Sequence, residues 1–133
     1  MITTQQMNTF ISNLPGYESV RDLVPDGHFL SFTHIWALGI ESYVTDLNEL
    51  EQRLVLDLGE DWNLDDQFLI RITMRRPGLW SIPNERQICG LDFKDIRKDG
   101  LEDLLYEVYD YDSTDFRVKC NSIELSKIAK PSL

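Results

Sequence analysis

Over residues 67–75 the side chains sort into two alternating sets: Phe68, Ile70, Ile72 and Met74 on one side, and Leu69, Arg71, Thr73 and Arg75 on the other. Alternation with a period of two belongs to a strand that buries one face and wets the other, which is the usual condition of an antiparallel sheet. Residues 53–58 repeat it, with Leu54, Leu56 and Leu58 opposed to Arg53, Val55 and Asp57. Further strand-like runs cover 88–96, 104–110, 116–120 and 123–128. Their connections are short: a loop over 60–66, a break at Pro77 and Gly78, an irregular stretch over 79–85, a polar tip over 111–115, and Asn121 with Ser122. None is long enough to hold a crossover helix, so neighbouring strands must run antiparallel.

The first third reads differently. Thr3 or Thr4 can cap a helix that places Met7, Phe10, Ile11 and Leu14 on one face and ends at Pro15 and Gly16. Pro25, Asp26 and Gly27 spell a turn. Residues 29–44 are rich in aromatic and β-branched side chains, with Gly39 as a bulge or break and Trp36 in the core. Residues 47–52 read as a short helical turn. The expectation is therefore one α+β domain over 1–133: an N-terminal helix followed by a mainly antiparallel sheet of about six or seven strands.

Charge divides the chain unevenly. Residues 1–70 hold twelve Asp or Glu against Arg21 and Arg53, whereas residues 71–133 hold eleven acids and eleven bases. The net charge of −10 thus arises wholly in the first half, most densely between Glu41 and Asp66. Crowded carboxylates raise the local potential, and a positive partner would offset that cost and be captured faster. The same charge disfavours nucleic acid, whose phosphates need Lys and Arg, and an anionic membrane surface. No apolar run approaches the ~20 residues that span a bilayer. The opening residues carry no basic and apolar secretory pattern, so the expected place is the cytoplasm. Cys89 and Cys120 lie in apolar stretches and read as two buried thiols.

Motifs for catalysis or metal fail on detail. Asp61, Asn63 and Asp65 copy the start of a calcium loop, but Asp66 stands where the turn needs Gly and Ile72 where a bidentate Glu is required. The loop from Asp110 to Asp115 fails in the same way, with Asp115 and Asn121 at those positions. His28 and His34, six residues apart on an extended chain, are about 20 Å apart and cannot share an ion. No nucleophile elbow or phosphate loop is present. The reading is of a non-enzyme without cofactor or metal. Trp62, inside the acidic stretch, and Trp80, after Pro77 and Gly78, are the aromatic anchors that a protein interface would use.

One further pattern lies in the second half. Ile88, Gly90, Leu91 and Phe93 lead to a strand that ends Tyr106, Val108, Asp110, then to a return through Phe116 and Cys120, and last to Ile123 and Leu125. This resembles immunity proteins of bacterial polymorphic toxin systems and is similar to the immunity protein 50 family. The resemblance implies a protein that binds a cognate toxin domain, often a basic nuclease, and blocks it. Glu49, Glu51, Asp57, Glu60, Asp61, Asp65 and Asp66 would then steer association, with Trp62 and Trp80 buried against the partner. Such a protein is a monomer or a homodimer. Two other classes fit the size and acidity: a type III secretion chaperone, which would close on a long amphipathic helix, and a small-ligand module or enzyme with scattered carboxylates.

Overall fold

The alternating segments do form strands, and they divide between two sheets. A computed structural model describes residues 9–29, 31–60, 62, 68–82, 86–112 and 115–129. Among these residues the chain forms β1 (His34–Val44), β2 (Leu50–Gly59), β3 (Phe68–Arg75), β4 (Trp80–Ser81), β5 (Leu91–Asp95), β6 (Tyr106–Asp110), β7 (Arg117–Cys120) and β8 (Ser122–Ala129). One four-stranded sheet has the order β1-β2-β3-β8 and the other β4-β7-β6-β5, and every pairing between neighbouring strands is antiparallel. The expected single sheet of six or seven strands is therefore two sheets of four. The division falls at Asn121. Its backbone N–H donates to Arg75 O at 2.9 Å and its side-chain amide to Asp103 O at 3.0 Å, so the chain leaves one sheet at Cys120 and enters the other at Ser122.

Among the described residues the helical part differs from the one helix that the spacing predicts. Among them α1 covers Thr9–Ser12 and ends before Leu14, and a second helical turn, α2 (Tyr17–Val20), follows the expected break at Pro15 and Gly16. Thr3, Thr4 and Met7 lie outside the described residues. Ile11 and Leu14 are buried, and Phe10 meets Tyr106 edge-on at 5.7 Å. Short helices draw most of their stability from tertiary packing of this kind. Residues 47–52 are not helical either: the chain turns at Asp46 to Asn48 and β2 begins at Leu50. Asn48 sits at φ 63°, the left-handed residue of a three-residue hairpin loop, and Thr45 N–H closes the loop onto Glu49 O at 2.8 Å.

Both sheets, the helical turns and the segment before β1 feed one core. Leu54, Leu56 and Leu58 of β2 face it with Ile70, Ile72 and Met74 of β3 and Ile123 and Leu125 of β8, while Val108, Val118 and Phe93 come from the other sheet. Phe29 joins the two parts, packing edge-on against Phe93 at 5.2 Å. No helix among the described residues is long and apolar enough to cross a membrane.

The two thiols separate. Cys120 is buried, and burial pushes its thiol up to about 12, whereas Cys89 is exposed rather than buried as its apolar flanks suggested. Cys89 escapes because β5 starts only at Leu91. The thiolate is the reactive form. Titration with a disulfide reagent near neutral pH should release one equivalent from the native protein and a second only in denaturant; two native equivalents would contradict this burial.

Candidate functional site

Strand pairing neutralises part of the acidic half: Asp22, Glu51 and Asp57 meet basic residues of the second half, and Glu41 meets Arg53. The outward faces of β1, β2 and β3 carry cross-strand rungs. Glu41 of β1 stands opposite Arg53 of β2 and pairs with it at 2.8 Å. Asp57 of β2 stands opposite Arg71 of β3 and accepts two hydrogen bonds from it, at 2.8 and 3.0 Å. Asp57 is only 5% exposed, and these bonds push the Arg71 guanidinium still higher. At the next rung Arg75 donates to the Tyr43 hydroxyl, which donates to Glu51 at 2.7 Å. That hydrogen bond, helped by the charge of Arg75, holds the Glu51 carboxyl below its ordinary value. The Arg53 guanidinium lies over the Tyr43 ring at 4.8 Å. Of the acids singled out from sequence, Glu51 and Asp57 thus belong to intramolecular pairs. Asp61, Asp65 and Asp66 lie outside the described residues.

Glu49 and Glu60 are exposed and, among the described residues, carry no ion pair. They flank opposite ends of β2, about 30 Å or more apart at the rise of a strand. At the Glu60 end, Trp62 folds back on the start of β1. It meets His34 edge-on at 4.7 Å and Trp36 at 5.8 Å, and the Arg86 guanidinium covers its face at 4.3 Å. It remains 38% exposed. Trp36 is not in the core as its apolar flanks suggested; it is half-buried. The register of β1 on β2 shifts between Ile35 and Ala37, and a side chain at Gly59 would strike the Trp36 indole nitrogen at 2.6 Å, so Gly59 leaves the room that this ring fills. The bulge expected at Gly39 lies three residues earlier, and Gly39 itself pairs regularly with Val55.

Trp80 belongs to the other sheet. It lies on the edge strand β4, 41% exposed, beside a groove lined by Leu79, Ser81, Arg117 and Lys119. Its surroundings are basic. Lys94, Arg117 and Lys119 surround Glu107, which is 2% exposed, at 3.3, 3.7 and 3.9 Å.

The β1–β2 hairpin is the surface that sequence reasoning missed. Its inward face continues the core row: Leu38 pairs with Leu56, Ile40 with Leu54, Ser42 with Gln52 and Val44 with Leu50. The core stops short of it. Ile40 is 46% exposed, Val44 64%, Leu50 74%, and Leu47 at the tip 80%. Asp46 and Glu49 flank the tip, and neither has an ionic partner among the described residues. The turn residues Asp46 and Asn48 between two apolar runs were the available signal, and reading 47–52 as helix concealed it. Chemically, such a hairpin can bury apolar area: each Val or Leu is worth about 1.5–3 kcal/mol when fully covered. Among the described residues no group of three His, Cys, Asp or Glu side chains is placed to hold a metal ion.

Fold and surface together define a two-sheet α+β domain with self-neutralised charge ladders and one projecting apolar-acidic hairpin. No protein-family model matches the chain, and no curated protein or solved structure does so either.

Proposed function

We propose that this protein is an immunity-type inhibitor, which binds a basic toxin domain and blocks it. The observation that supports the reading is the hairpin tip, where Val44, Leu47 and Leu50 are exposed beside the unpaired acids Asp46 and Glu49. Large apolar side chains held in water on a rigid strand pair have a use at an interface. The adjacent carboxylates and the net charge of −10 favour a positive partner over a negative one. Glu60 and Trp62, at the far end of β2, offer a second point of contact of the same character. The ion pairs at Glu51 and Asp57 leave steering to the unpaired carboxylates.

Capture from the lysate of the source, at low and high salt with mass spectrometry, tests the reading. A basic toxin-like domain retained at low salt and lost at high salt is the expected result, and purified toxin activity should fall as this protein is added. Replacing Val44, Leu47 and Leu50 together by serine should then weaken binding by about tenfold or more, since a centrally buried anchor is worth over ~1 kcal/mol. Stability should change by less than about 0.5 kcal/mol per site, because these residues are already wet. Unchanged affinity in the triple variant would remove the hairpin from the interface.

A further inference from the structure

We infer that the partner contributes an extended, basic segment that adds as a fifth strand to the free edge of β1. The inference rests on the inhibitor reading and names its mode of contact. β1 is an outer strand of its sheet and eleven residues long. Among the described residues its free edge is occupied only at its beginning: Ile35 N–H donates to Arg86 O at 2.8 Å, Ile88 N–H to Thr33 O at 2.9 Å, and His34 bridges Gln87. From Ala37 to Val44 no described residue pairs with it. A row of unmatched N–H and C=O groups is a template for another strand.

Folded proteins usually guard such an edge with lysine, proline, a bulge or an unmatched inward charge. β1 has no lysine or proline, its register shift lies at Trp36 before the free part, and its one charge, Glu41, is tied to Arg53. The inward row at Ile40 and Val44 stays exposed, so an added strand with apolar residues at alternate positions would extend the core.

Charge selects the occupant. A second copy pairing antiparallel through β1 would bring Asp46 and Glu49 of each tip alongside the start of the other copy's β1, where Glu60 stands with one cation, Arg86, stacked on Trp62. That juxtaposes like charges between two chains of −10 each. A segment alternating basic and apolar residues meets the same acids with opposite charge. Strand addition supplies main-chain hydrogen bonds, and the exposed apolar row and tip acids supply the selectivity.

The probe is a blocked octapeptide of alternating lysine and valine, titrated into the isotopically labelled full chain and read by NMR and amide hydrogen exchange. Its control carries the same lysines with a central valine replaced by proline, which removes the ladder donor and leaves the charge unchanged. Alternate amides within 37–44 should become protected, and the proline peptide should bind at least about tenfold more weakly. Equal binding of both peptides, or protection elsewhere, would overturn strand addition. A concentration-dependent dimer that protects the same amides without peptide would give the edge to a second copy and overturn it too. The two readings fail separately: a captured toxin that leaves 37–44 unprotected defeats the strand and leaves the inhibitor, whereas peptide protection with no toxin in the lysate does the reverse.

Discussion

Gly16→Ala should lose about 3–5 kcal/mol of stability, a large part of the total for a domain of this size. Gly16 lies at φ 86°, and a Cβ there would stand 1.7 Å from the backbone oxygen of Leu125. That oxygen belongs to the main chain of β8, an outer strand held in place by its pairing with β3, and cannot swing aside as a side-chain end can. The backbone must part instead, which breaks the bond from Leu125 N–H to Pro15 O at 2.8 Å. It also lifts Tyr17 and Val20 of α2, both buried, from the strand they cover. The left-handed conformation costs alanine about 1–2 kcal/mol before any of this. Gly39→Ala is the matched comparison, since a Cβ at Gly39 meets nothing within 4 Å. Urea unfolding of the two variants should show a large fall in midpoint for the first and almost none for the second; equal midpoints would refute the close approach of Pro15 and Gly16 to β8.

Replacement of Glu107 by leucine should destabilise the protein by about 2 kcal/mol at low salt, and by less as salt rises. Glu107 stands between Lys94 and Lys119 in the cross-strand row of the second sheet, with Arg117 diagonal to it. The long side chains of these cations cover its carboxylate, whose Oε1 is buried and accepts no hydrogen bond in the structure. Burial of a charge is costly, and an apolar replacement can be neutral or favourable when both partners of a pair are removed. Here only the anion leaves, and three half-exposed or covered cations face each other across the gap. The variant also brings the net charge nearer to zero, from −10 to −9, which taken alone would relieve repulsion. A loss of stability against that trend, fading in salt, would place the effect in the local trio. A neutral or more stable variant would mean that desolvation of Glu107 outweighs its three ion pairs.

The strands of the second half were legible because one face of each is buried and the other wet. β3 begins and ends within a residue of its alternation, and β8 follows the run over 123–128. The spacing of Ile11 and Leu14 suggests one helical face, yet only Ile11 is in α1; Leu14 reaches the same core from the bend between α1 and α2. β4 escaped notice because two residues carry no period. Trp36 was misplaced because its position follows from the register shift beside it and from the bare Gly59 across the strand, neither of which is local to Trp36 in sequence.

What the sequence determined alone was the antiparallel character of the fold, the placing of most strands, the break at Pro15 and Gly16 and the overall charge. Each depends on residues within a few positions of one another, through side-chain period, turn chemistry or simple count. Only the tertiary structure decided which carboxylates remain open to a partner. Arg71 is fourteen residues from Asp57 along the chain and Arg75 is twenty-four from Glu51, yet strand register brings each pair into contact. It also decided that the core ends at Ile40 and leaves Val44, Leu47 and Leu50 in water, because a hairpin's length is local while the extent of what packs beneath it is not.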